Sequence, residues 1–260
     1  MKRIVFPLIF AAMLTCLSCN NTKPKEYIAI VSAMDVEISL LLKHANIKES
    51  KTIANATFHV GEINGKNVII TRSGIGKINA SSAFTSAVNY YDLSKVIFTG
   101  VAGGVKDEEK VLDQVVATKL VEHDYGLLSN EGFTWYGGNP GLKEPGEVYE
   151  CDPTLVDLAY NCSLSLLKER SVYKGTIATG DQFVASEQYL VYLQEEFDAY
   201  ACEMEGAAIA KVCKAYNKPF VIMRTLSDKA DGKARESYVD FVEEAADQSS
   251  AIVLKMLESL

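Results

Sequence analysis

The chain alternates short apolar runs with longer stretches of helical period, and this alternation sets the fold class. Residues 27–31 (YIAIV) are continuously apolar, as expected of a strand buried on both faces. Residues 36–44 (VEISLLLKH) follow as an amphipathic helix. Two runs, 58–63 and 66–71, flank Asn64-Gly65. That residue pair favours the φ > 0 conformations of a type I′ turn, so the runs predict an antiparallel hairpin. Ser73-Gly74-Ile75-Gly76-Lys77 is a glycine turn opening an Ala- and Ser-rich helix that ends near Tyr91. Residues 95–99 (KVIFT) read as a strand closed by a second glycine turn at 100–104. Further strands are expected at 115–120, 173–178 and 219–224, with helices near 153–168, 187–194, 203–216 and 235–260. Strands separated by helices, plus one hairpin, predict an α/β protein of three α/β/α layers around a mixed, largely parallel sheet.

The first residues stand apart from this pattern. Lys2 and Arg3 precede a charge-free run at 4–18, the basic start and short apolar core of an export signal. The run is too short to cross a bilayer comfortably. It ends in Leu17-Ser18-Cys19 and a polar stretch, and resembles a bacterial lipoprotein signal, in which the cysteine after a small residue is lipidated; Cys16 stands where such signals usually carry Leu. The competing reading is a buried N-terminal helix or strand. The expectation is a signal peptide at 1–18, a tether at 19–26 starting at a lipidated Cys19, and one domain at 27–260. The protein would then be exported, periplasmic or at the cell surface, and attached to a membrane only through Cys19.

At 48% hydrophobic and 23% charged residues, the composition is that of a globular protein able to bury a substantial core. Acidic residues outnumber basic ones 34 to 26, a net charge of −8, and no basic run occurs. Nucleic acid is therefore excluded as a main partner. His44, His59 and His123 are scattered and the cysteines form no CxxC, so neither a metal nor another cofactor is expected. Export would permit disulfides. Cys202 and Cys213, however, read as lying in one helix, separated by about 16 Å along its axis, too far to bridge. Buried free thiols are expected.

In α/β sheets ligands bind where strands end and loops open. Four segments qualify: 32–37, the glycine turns at 73–77 and 100–104, 202–206 (CEMEG) and 224–228 (RTLSD). Each alone has a plain structural explanation. Glycine turns serve tight connections, Glu37 could complement a helix dipole, and Glu203 with Glu205 could simply begin a helix.

Together they carry more. Ala33-Met34-Asp35-Val36-Glu37, Ser73-Gly74-Ile75-Gly76-Lys77, Thr99-Gly100-Val101-Ala102-Gly103-Gly104, His123-Asp124, Gly180-Asp181-Gln182-Phe183, Glu203-Met204-Glu205 and Ser227-Asp228 occur in this order. The set resembles the signature of 5′-methylthioadenosine/S-adenosylhomocysteine nucleosidases, over nearly all of the chain from Tyr27 onward. The wider superfamily of purine nucleoside and uridine phosphorylases shares the fold and part of the glycine pattern.

The resemblance implies cleavage of an N-glycosidic bond, with adenine released from a small adenine nucleoside by water. It assigns Asp228 as the acid that protonates adenine N7, oriented by Ser227, and Glu37 as the base on the attacking water. Glu205 would bind the ribose hydroxyls, Met204 would lie against the sugar, and Arg224 would hold the water or neighbouring carboxylates. Phe183 would stack on the purine and the Val184 backbone would read its edge. Met34, Gly103 and Glu203 complete the expected substrate-binding set. For the 5′-alkylthio group, Phe133, Trp135, Tyr136 and Pro140 are candidates in a pocket completed by a neighbouring subunit, and that aromatic cluster on a polar loop also suggests a homodimer. Phosphorylases of the superfamily place arginines in their glycine loops; these loops have none, although Arg72 precedes the first. Val101 stands where several family members carry Ser near the reactive water.

Two alternatives remain at this level. One is another nucleoside hydrolase or phosphorylase of the same fold, such as a futalosine hydrolase. The other is an exported binding protein that kept the scaffold and lost catalysis.

Overall fold

The computed structural model describes residues 25–137 and 147–260. Cys19, the segment 1–18 and Pro140 lie outside the described residues. In chain order the strands are β1 (Tyr27–Ser32), β2 (Asn46–Ile53), β3 (Ala56–Ile63), β4 (Lys66–Arg72), β5 (Leu93–Phe98), β6 (Val101–Gly104), β7 (Gln114–Glu122), β8 (Gly126–Ser129), β9 (Gly132–Trp135), β10 (Val148–Glu150), β11 (Val172–Thr179), β12 (Ala199–Glu203) and β13 (Phe220–Asp228). The helices are α1 (Asp35–His44), α2 (Lys77–Tyr90), α3 (Pro153–Leu166), α4 (Glu187–Phe197), α5 (Gly206–Ala215) and α6 (Ala234–Ser259).

Eleven strands form one sheet in the order β10-β7-β11-β12-β6-β13-β5-β1-β4-β3-β2, and β7 also pairs with β13. β4, β1, β5 and β13 run parallel, as do β7, β11 and β12. Antiparallel pairs bring in β2, β3 and β10 and join β12 to β6. This is the expected mixed, largely parallel sheet. α1 and α3 pack on α6, and α2 packs on α5, so helices cover the sheet in two groups. The central strands are apolar throughout because both faces are covered: every residue of β13 is buried.

Six strands depart from the sequence reading, β12 among them. β2 is an edge strand rich in Lys, Glu, Ser and Thr, with no buried residue, so it carries no apolar signal. β8, β9 and β10 have three or four residues each, too short for a period. β6 lies inside the second glycine turn. It is extended because it is held between β13 and β12. There a Cβ on Gly104 would stand 2.9 Å from the Leu226 side chain, so glycine is what allows the strands to close.

The cysteine geometry is also corrected. Cys202 lies in strand β12 while Cys213 lies in α5, so the two do not share a helix. The β propensity of AYACE is masked by the acidic residues after it. The thiols are nonetheless free and buried, together with Cys151 and Cys162.

Candidate active site

The carboxyl ends of β1, β5, β12 and β13 open into one cavity of about 200 Å³. Met34, Glu37, Gly103, Phe183, Val184, Glu203, Met204, Glu205, Ser227 and Asp228 all line it. Ten of the residues singled out in the sequence, scattered over almost 200 positions, are thus brought together. Val101 is in the wall as well.

Glu37 sits in the first turn of α1 and is only 3% exposed. Its Oε2 accepts hydrogen bonds from the Ala33 and Met34 amides at 2.9 and 2.8 Å, and its Oε1 accepts one from the Val101 amide at 2.9 Å. Burial nevertheless dominates and raises its pKa, against the lowering effects of Arg224 and these amides. The carboxylate is therefore fixed in place, with burial favouring its protonated form. α6 secures its surroundings: Ser250 donates to the Glu37 carbonyl at 2.7 Å, and the Ser249 hydroxyl accepts from the Gly100 amide at 3.1 Å.

Asp228 ends β13, where the pairing with β6 skips a residue: Leu226 faces Ala102 and Asp228 faces Gly103. This bulge turns the Ser227 and Asp228 pair toward the cavity. Ser227 donates to Asp228 Oδ2 at 2.9 Å and the Ala230 amide donates to Oδ1 at 2.8 Å. Burial raises the Asp228 pKa, opposed by those two bonds and assisted by Asp231. The carboxyl is thereby suited to hold a proton and to be stabilised once it has given it away.

Glu203 and Glu205 flank Met204 but do different things. Glu203 accepts from the Gly206 amide at 2.8 Å and the Glu205 amide at 3.1 Å, capping α5, and forms an ion pair with Arg224 at 2.6 Å. Its oxygens also take the Thr179 hydroxyl. It lines the cavity as an anchor already saturated with donors. The Arg224 guanidinium lies 4.1 Å from the Phe98 ring centre and 4.0 Å from Glu205. Arg224 therefore holds carboxylates, one of the two roles foreseen for it. Glu205 accepts from the Gly76 amide at 2.8 Å. Burial, then the Glu203 charge, push its pKa up to about 8 against the pull of Arg224 and Gly76.

Phe183 stands half-exposed at the mouth, edge-on to Tyr238 with ring centres 5.6 Å apart. Tyr238, from α6, donates its hydroxyl to Met34 Sδ at 3.3 Å. Sequence reasoning missed it, whereas Ile75, Gln182 and Cys202, also in the wall, lie in segments that the sequence singled out without giving them a role. No spacing in 234–259 marks Tyr238 out from the other residues of a long amphipathic helix.

Phe133 and Tyr136 do not line this cavity. The loop that carries them folds back as the β8–β9 hairpin, so that Phe133 meets Tyr192, Trp135 meets Phe197 at 4.9 Å, and Tyr136 meets Tyr125. These aromatics are half-buried, not exposed; the exposed apolar residues of the hairpin are Leu127 and Leu128. Arg72 points away to Asp35 at 3.1 Å and is no part of the wall.

A phosphorylase superfamily profile matches residues 27–258. The 5′-methylthioadenosine/S-adenosylhomocysteine nucleosidase of Bacillus thuringiensis (strain Al Hakam) is 38% identical over 235 residues, which span 90% of this chain and 99% of that protein. The Bacillus anthracis counterpart aligns with the same figures. Among solved structures, the nucleosidase from Neisseria meningitidis in complex with methylthio-immucillin-A superposes with a TM-score of 0.81 at 32% identity, covering 90% of this chain and 100% of that one. Futalosine hydrolase of Helicobacter pylori strain 26695 superposes with a TM-score of 0.81 at 33% identity, covering 91% and 99%. With the superfamily profile matching residues 27–258 and a 38% identical nucleosidase aligned over 90% of it, the chain belongs to the 5′-methylthioadenosine/S-adenosylhomocysteine nucleosidase family of the phosphorylase superfamily.

Proposed function

We propose that the protein hydrolyses the N-glycosidic bond of 5′-methylthioadenosine, S-adenosylhomocysteine and related 5′-substituted adenosines, releasing adenine. The observation that carries this is the convergence of Glu37, Glu205 and Asp228 on one cavity with Phe183 at its mouth. Protonated Asp228 gives its proton to adenine N7 as the bond from C1′ to N9 breaks and its electron pair moves to the base. Glu37 takes a proton from the water that attacks C1′, and the sugar gains the hydroxyl. Glu205 holds the ribose hydroxyls, and its charge favours the cationic sugar of the transition state. Arg224 keeps Glu203 and Glu205 in place, and the Val184 backbone reads the adenine edge beside Phe183.

Water is the nucleophile in this reading, since the glycine turns carry no arginine and Arg72 is engaged with Asp35. The test is adenine release from methylthioadenosine by the purified domain without phosphate. Absence of base release, or release only when phosphate is added, overturns it. Futalosine as a competing substrate in the same assay separates the second hydrolase reading, which the Helicobacter pylori neighbour supports.

The proposal extends to assembly and location. A homodimer would let Phe133 and Tyr136 meet the 5′-substituent in the partner's cavity, and exposed Ile78, Leu127 and Leu128 offer apolar surface for it. Light scattering of the purified protein checks the dimer. Export as a Cys19 lipoprotein, with 1–18 removed and 19–26 as tether, is checked by the mass of the mature N-terminal peptide and by membrane fractionation.

A further inference from the structure

Three signature segments have no chemical role in the scheme above: the Lys77 end of the first glycine turn, His123-Asp124 and Gly180-Asp181. They meet at one point. The Lys77 ammonium bonds Asp124 Oδ1 at 2.6 Å and Glu122 Oε1 at 2.7 Å, with the Lys77 and Asp124 side chains only 19% and 15% exposed. Asp124 Oδ2 accepts the Asp181 amide at 2.9 Å, and Asp181 Oδ1 accepts the Lys77 amide at 2.8 Å. Three of these contacts, Lys77 to Asp124, Asp124 to Asp181 and Asp181 to Lys77, close a ring joining the ends of β4, β7 and β11, and the Glu122 pair braces it. The fit is tight on two sides. Gly76 has φ +92, and a Cβ there would stand 3.0 Å from Asp181 Oδ1. A Cβ on Gly180 would collide with the His123 ring, which is wholly buried and bonded to Tyr189 at 3.0 Å.

This ring borders the active site on both sides. One residue before Lys77, the Gly76 amide donates to Glu205 Oε1 at 2.8 Å. Two residues after Asp181 comes Phe183, followed by Val184, both in the cavity wall. We infer that Lys77, Asp124 and Asp181 form a positioning ring that sets the sugar carboxylate Glu205 and the Phe183–Val184 base platform in one register, so that sugar and base are aligned together. The inference rests on the proposed roles of Glu205 and Phe183. Burial opposes the charge on Lys77 and on Asp124, but their mutual bonds outweigh it: the lysine pKa lies above its ordinary value and the aspartate pKa below. The ring is therefore held by charged, directional contacts.

The test uses the full domain with Lys77→Met, Asp181→Ala and Asp181→Asn. Lys77→Met frees Asp124, and Asp181→Ala frees the Lys77 amide. Each is expected to lower kcat/KM by about 10- to 100-fold, the scale of a small misplacement of reacting groups. Loss of the Gly76 bond favours protonated Glu205, so the acid limb of the kcat/KM profile moves to higher pH in both. Asp181→Asn keeps an oxygen for the Lys77 amide and recovers to within about threefold. A merely structural role would lower melting temperature and leave the pH limb unmoved, and that outcome overturns the inference. If Lys77→Met does not fold, the surface residue Asp181 decides the question with its two variants. Glu205→Gln serves as the reference. Full activity in that variant refutes the role given to Glu205, whereas an inactive Glu205→Gln beside wild-type kinetics in Lys77→Met and Asp181→Ala refutes the ring alone.

Discussion

Gly100 packs directly against Glu37: a methyl group on it would collide with Oε1 and stand 2.9 Å from the carboxyl carbon. The glycine that follows β5 thus makes room for this carboxylate, whose Oε1 is held by the next amide, Val101. Gly100→Ala is expected to displace Glu37 and reduce kcat/KM by about 100-fold, while overpacking costs about 1–3 kcal/mol of stability. Steady-state kinetics alongside thermal unfolding measure both. Wild-type kinetics in a folded Gly100→Ala protein would refute the assignment of this carboxylate.

Asp228 and Ser227 allow the acid to be tested by sign. An amide has no acidic proton to give, so Asp228→Asn is expected to lose about 10²- to 10⁴-fold in kcat. Because burial raises the Asp228 pKa, activity falls on the alkaline side as its proton is lost. The Ser227 bond favours the charged form, so Ser227→Ala should move that limb to still higher pH while lowering the maximum rate. A limb that stays in place in Ser227→Ala would assign it to another group.

Glu205 offers a stability test. Its folded pKa, about 8, lies above the ordinary glutamate value of 4.5 because of burial and the Glu203 charge. For a group raised in this way the favourable contribution to folding is complete below about pH 4.5 and is lost as pH rises through about 8. Wild-type melting temperature should therefore decline between pH 6 and 9, and Glu205→Gln should flatten that decline by roughly 2 °C or more while abolishing activity. Parallel declines in the two proteins would remove Glu205 as the cause.

Much of the site was legible because its chemistry rests on charged residues and glycines directly after apolar strands. Glu37 and Asp228 follow runs whose apolar pattern is plain, Glu205 stood out through its own acidic CEMEG segment, and Gly100 and Gly103 admit close contacts that a side chain would block. What was not legible depends on packing. β2 has a solvated edge pattern, β6 is extended only because β12 and β13 trap it, and Cys202 looked helical because the acidic residues beyond it resemble a helix start. Phe133 and Tyr136 looked like an exposed patch because the hairpin that folds Phe133 against α4 and Tyr136 against Tyr125 has strands of only four residues. Tyr238 and the Ser249-Ser250 pair act from α6, at the far end of the sequence, where only the tertiary fold brings them to Met34, Gly100 and Glu37.

Tyr238 separates binding from chemistry. Its ring walls the cavity mouth against Phe183 and its hydroxyl reaches Met34 Sδ, but it bonds none of the three carboxylates. Contacts at the mouth act on the bound substrate and the transition state alike, and uniform binding of that kind changes KM more than kcat. Tyr238→Phe removes one hydrogen bond to sulfur and keeps the ring, so KM should change by no more than about threefold. Tyr238→Ala opens the wall beside Phe183 and should raise KM by about tenfold or more with kcat nearly preserved. Initial rates over a range of methylthioadenosine concentrations give both parameters. A fall in kcat in Tyr238→Ala as large as the rise in KM would mean that this wall also aligns the reacting groups.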